Sequence, residues 1–114
     1  MVVDLGEKIH VITRRLFEGD VRRHIAGTVT GSYDAAVRLV GHAFVFDSGS
    51  NRYTKLPGER TRIIDLSDSG YICNVLPDSV DMSALDYEIT QDNRLVVTDK
   101  KDFQMDINEF SAMR

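Results

Sequence analysis

Residues 21–46 read Val-Arg-Arg-His-Ile-Ala-Gly-Thr-Val-Thr-Gly, then Ser-Tyr-Asp, then Ala-Ala-Val-Arg-Leu-Val-Gly-His-Ala-Phe-Val-Phe. Two runs rich in Val, Ile, Thr and Phe flank a short polar turn. β-branched and aromatic side chains suit a pleated surface, and the apolar positions alternate rather than recur at helical spacing. The spacing predicts strands over 21–31 and 35–46. Upstream, residues 8–17 read as another strand, joined through a turn at Glu18-Gly19-Asp20. These three strands form a meander, since turns this short join antiparallel neighbours.

The pattern continues downstream. Asp47 to Asn51 is a loop of turn-forming residues. Strands are expected over Arg52–Leu56, Arg60–Leu66 and Tyr71–Leu76, separated by Pro57-Gly58 and by Ser67-Asp68-Ser69-Gly70. Asp78 or Ser79 caps one helical turn within 78–84. Asp86–Thr90 and Arg94–Thr98 flank a hairpin turn at Gln91-Asp92-Asn93, and 103–107 alternates once more. The tail from Asn108 is a last helical turn or a frayed end. The expected fold is all-β: an antiparallel barrel or sandwich of about seven to nine strands on the N-terminal meander, with at most one or two short helices.

Length and composition agree. The chain has 114 residues, 42% hydrophobic and 28% charged, which suits a single globular domain over 1–114. No apolar run reaches membrane-spanning length, and the start has no basic stretch leading an apolar one, so neither a membrane partner nor a secretory leader is expected. Cys73 is the only cysteine, which excludes an internal disulfide and a cysteine-rich zinc cage, and points to a reducing cytoplasm. Charge is uneven. Residues 1–65 carry ten Lys and Arg against eight Asp and Glu; residues 66–114 carry four against ten. The early cations are mostly arginine, whose planar fork matches carboxylate and phosphate.

Pivoting the first two turns on Gly19 and Tyr33 sorts the side chains. Ile9, Val11, Ile25, Val29, Val37, Leu39 and Ala43 fall on one face, the expected core, with Gly27 and Gly41 among them as sites of a bend or bulge. Arg15 and Arg23 meet awkwardly on that face near the first turn. The other face carries His10, Ile12, Arg14, Leu16, Arg22, His24, Thr28, Arg38, Val40, His42 and Phe44. On this register His24 faces His42 and neighbours Arg14, while His10 faces Thr28, about 13 Å further along at 3.3 Å per residue.

That second face is the candidate site. Two histidines beside an arginine lack the three or four ligands that zinc wants, so no metal is expected. They form instead a surface pair that resists double protonation. Arg14, Arg22, Arg38, His24 and His42 can surround an anion, and Phe44 and Phe46 can stack on a base. A face mixing arginine, aromatic and aliphatic side chains also has the composition of a protein interface. Asp47 to Asn51 supplies too few ligands for calcium. Cys73 has no neighbouring cation to activate it and reads as a buried structural thiol. No phosphate loop, dinucleotide fingerprint, His-Glu-x-x-His or Gly-x-Ser-x-Gly occurs, and neither a cofactor nor a catalytic residue is assigned. An enzyme would need a concave pocket beside His24, His42 or Cys73. The expected function is a non-enzymatic cytoplasmic module that self-associates through Arg14, Arg22, His24, Arg38, His42 and Phe44. The alternative is a binder of an anionic small ligand or single-stranded nucleic acid on the same face, although a net charge of −4 disfavours nucleic acid.

Overall fold

A computed structural model describes residues 3–13, 22–47, 49–50, 52–67 and 70–107. They form two compact units, Met1–Asp78 and Ser79–Arg114. The first is an antiparallel sheet of β1 (Lys8–Thr13), β2 (Arg23–Tyr33), β3 (Ala36–Asp47), β4 (Arg52–Lys55), β5 (Arg60–Asp65) and β6 (Tyr71–Leu76). The ladder runs β4-β3-β2-β1-β6. β3 is long enough to give one edge to two partners: Phe44–Asp47 pairs with β4, and Ala36–Gly41 with β5. Between them the chain bends at Pro57-Gly58, where Gly58 has φ +83°. The meander is present as expected. The ladder is not closed into a barrel, because β5 and β6 do not pair among the described residues.

The expected core face holds nearly residue for residue. Ile9, Val11, Ile25, Val29, Val37 and Leu39 are buried together with Val3 and Ile64, and Leu66, Tyr71 and Cys73 pack against them. Each large aliphatic buried this way contributes about 1.5–3 kcal/mol. β5 and β6 lie at opposite ends of the ladder yet feed one cluster, so the sheet is strongly curled around it. Arg23 lies at the exposed end of β2, opposite Val45, and is not part of the core. Arg14, Arg15 and the first turn lie outside the described residues.

The register itself differs from expectation. Ile12 faces His24 and His10 faces Ala26; across the next ladder His24 faces Phe44 and His42 faces Ala26. Each ladder is displaced by two residues from the expected pairing over this stretch. An even displacement leaves every side chain on its assigned face while changing its partner. The second turn explains how. It is a tight Asp34-Ala35 turn between paired Tyr33 and Ala36, with Asp34 at φ 52°, a conformation aspartate tolerates. A two-residue turn alone would have swapped the faces of β2. The ladder shifts between Val29 and Gly31, and the extra residue there restores the alternation.

The second unit is a meander of β7 (Asp86–Ile89), β8 (Leu95–Thr98) and β9 (Gln104–Asp106). The single helical turn among the described residues, Met82–Ala84, is capped by Asp81 rather than by Asp78 or Ser79: its carboxylate accepts from the Ser83 amide at 3.1 Å. Lys101 and Ser83 hold the Asp81 carboxyl well below the usual carboxylate range. Asp99 is buried and accepts from the amides of Asp81, Lys101 and Phe103, which fixes the turn into β9.

Gly27 and Gly41 face each other at the centre of the β2–β3 ladder. A Cβ on Gly41 would lie 1.9 Å from the Ala26 carbonyl oxygen and 2.5 Å from the Gly27 Cα, both backbone atoms that cannot move aside alone. Overpacking a core typically costs about 1–3 kcal/mol, and a backbone clash sits at or above the top of that range. Gly41→Ala is therefore expected to lose about 3 kcal/mol or more in urea denaturation. Gly31→Ala, whose Cβ meets only the Arg38 Cβ at 3.5 Å, is expected to stay within about 1 kcal/mol of the parent.

Candidate functional site

The face opposite the core is not the solvated, polar surface that alternation suggested. His10 is 0% exposed, His24 5%, Ala26 4% and Phe44 1%. Of the residues assigned to the site, Arg22 and Arg38 are exposed, His42 is half-buried, His24 and Phe44 lie underneath, and Arg14 falls outside the described residues. A signal for this burial was present in the sequence. Ile12, Ala26, Val40, Phe44 and Phe46 put apolar side chains on the supposedly outer face, and strands apolar on both faces are covered on both.

The histidines pair differently from expectation. His24 does not face His42; it meets His10, with ring centroids 5.4 Å apart and planes at 83°. The displacement of the β1–β2 ladder brings them together, because His10 now sits diagonally across from His24 rather than four residues away. On its other side His24 stacks on Tyr53 of β4, a residue absent from the expected site, at 4.5 Å and 26°. Tyr53 in turn meets the edge of Phe46 at 5.4 Å, and the Arg22 guanidinium lies 5.3 Å from the Phe46 ring centre. A ladder of rings thus runs from buried His10 to an exposed arginine. The Phe46 amide donates to the Arg22 carbonyl at 2.9 Å, which holds the arginine beside the ring it covers. Lys55 places its ammonium 6.0 Å from the Phe44 ring centre, at the outer limit of a cation–π contact.

Burial governs the electrostatics. Desolvation, and secondarily the charge His24 would carry, lowers the His10 pKa from 6.5 to about 3; desolvation lowers that of His24 to about 4. Both imidazoles are neutral near pH 7. No group of three or more His, Cys, Asp or Glu fit to hold a metal occurs among the described residues. Asp47, the first residue of the supposed calcium loop, accepts from the Gly49 amide at 2.9 Å and the Ser50 hydroxyl at 3.1 Å, an ordinary turn. Cys73 is half-buried against the core rather than fully buried, and burial followed by the charge of Glu7 pushes its thiol pKa up, away from nucleophilic use.

No protein family, curated protein or solved structure matches this chain. Its function is therefore argued from its own surface. A shallow depression of about 260 Å³ lies at the β2–β3 hairpin end, lined by Gly31, Tyr33, Ala36, Arg38 and Ile63 among others. Arg38 is the one residue of the expected site that lines it; His24, His42 and Cys73 do not. No helix among the described residues is long and apolar enough to cross a membrane.

The buried histidines make stability pH-dependent. Their folded pKa values lie below the unfolded value, so between pH 6.5 and about 4 the unfolded chain binds protons that the folded chain excludes. Stability is fully present above pH 6.5 and falls as pH drops, by up to about 1.4 kcal/mol per pH unit for each histidine. Urea midpoints measured from pH 7 to pH 5 are expected to show that decline. His24→Phe keeps a ring against Tyr53 and removes one protonation site, so its decline is expected to be about half as steep.

Proposed function

We propose that this chain is a non-enzymatic interaction module that self-associates through the sheet face bearing Arg22, Arg38 and His42, over a floor of His24 and Phe44. The observation that carries the reading is at the hairpin end of that face. Tyr33 is 79% exposed and Ile63 67% exposed, and with Arg38 they surround the depression. Tyrosine and arginine dominate the energetics of protein interfaces when an apolar neighbour excludes water around them. The chain also carries its own electrostatic complement, since residues 66–114 hold ten acids against four bases. An arginine face meeting an acidic patch on a second copy gains on-rate and orientation. Cytoplasmic residence belongs to the proposal, because the sequence offers a single cysteine and no internal disulfide.

One observation favours a second reading. The exposed Arg22 over Phe46, backed by Tyr53, is the combination of cation and ring that sites for anionic ligands and single-stranded nucleic acid use.

Light scattering and sedimentation across protein concentration, at low and high salt, distinguish the two. Self-association predicts an oligomer that weakens with salt, and that weakens about tenfold or more in Arg38→Ala. A monomer at every concentration ends the proposal. A monomer that binds an oligonucleotide or phosphorylated metabolite with steep salt dependence, lost in Arg22→Ala, replaces it with the second reading.

A further inference from the structure

The sheet has two edges, and they are built differently. On the β3 side the outermost strands are short. β4 carries Arg52 and Lys55, β5 carries Arg60, Arg62 and Asp65, and the chain bends between them at Pro57-Gly58. Short strands, charges and a bend are the devices by which a sheet edge is kept from pairing with other chains. The β6 edge, six residues long like β5, has neither the charges nor the bend. Tyr71-Ile72-Cys73-Asn74-Val75-Leu76 contains no charged residue, no proline and no glycine. All six residues pair in continuous register with Lys8–Thr13, so no bulge turns the strand aside. β6 is the last strand of the ladder and pairs only with β1 among the described residues. In an antiparallel pair, alternate residues direct their N–H and C=O groups away from the partner. Apolar side chains flank this edge on both faces of the sheet: Ile72 is 42% exposed on the face of Ile12, and Val75 is 55% exposed on the face of Ile9.

We propose that β6 is a docking edge for β6 of a second copy of this chain, the two strands pairing antiparallel about a two-fold axis to make one continuous sheet. The charge pattern selects this occupant. Two copies of β6 paired in this way set uncharged residues against uncharged residues, with no like charges opposed within the strand. Docking β6 on the other edge of a second copy would set this apolar strand beside Arg52, Lys55, Arg60 and Arg62. Antiparallel self-pairing is also closed: each copy uses its edge once, so a dimer and not a fibre results. A ladder of six residues covers less than the roughly 800 Å² per partner of a standard interface, so the dimer is reversible and concentration-dependent. This edge is separate from the Arg38 face and does not depend on it.

Hydrogen exchange read by mass spectrometry over residues 71–76, at low and high protein concentration, tests the pairing. The proposal predicts that these amides exchange more slowly as concentration rises. Val75→Lys and Ile72→Lys place charges at exposed positions on opposite faces of the strand. Each is expected to keep the circular dichroism of the parent, to weaken dimerisation by about tenfold or more, and to remove the concentration dependence. Two variants guard against one that fails to fold. Arg38→Ala is expected to leave the concentration dependence of β6 intact, which separates this edge from the face. Exchange over 71–76 that is the same at both concentrations overturns the proposal, whether uniformly fast, with the edge unused, or uniformly slow, with the edge covered within one copy. Association abolished by Arg38→Ala but untouched by either lysine variant overturns it as well.

Discussion

The contact that fixes the rest of the first unit is the crossing of β2 and β3 at Gly27 and Gly41. There the backbones come so close that neither position has room for a Cβ. A side chain at either position would strike main chain of the other strand, so this crossing depends on glycine at both. From the register of this crossing follows the placement of Val29 against Leu39, of Ile25 against Ala43, and of His24 against Phe44. The first two rows build the core. The third carries the ring ladder on the opposite face.

The faces of the sheet were legible in the sequence because alternation has a period of two, and an error of two residues does not alter it. Ile9, Val11, Ile25, Val37 and Leu39 were therefore assigned inward correctly while their partners were not. Partners depend on where a turn pivots, and that is decided by local backbone chemistry. Asp34 adopts positive φ and tightens the hairpin, and the extra residue between Val29 and Gly31 compensates. Neither event leaves a mark in the hydrophobic pattern. Tyr53 was missed for a related reason: it reaches His24 from a strand two positions away, and no local spacing encodes that. The burial of His10, His24 and Phe44 was recoverable from the aliphatic and aromatic residues interleaved with them.

Burial changes what the histidines can contribute. As a surface pair they would have titrated near neutrality and offered ligands to an ion. Desolvated, they remain neutral and act as flat packing surfaces joining β1, β2 and β4. On this face the exposed residues are those beyond the ring ladder: Arg22 at its exposed end, and Tyr33, Arg38 and Ile63 around the depression. The proposed working surface is thus smaller than the sequence implied and is displaced toward the hairpin.

The core and the ring ladder both depend on the alignment of β2 with β3, and cross-strand nuclear Overhauser contacts between backbone protons read that alignment directly. Contacts joining His24 to Phe44 and Ala26 to His42 are predicted. Contacts joining His24 directly to His42 would contradict the glycine crossing, the ring ladder and the surface derived from them.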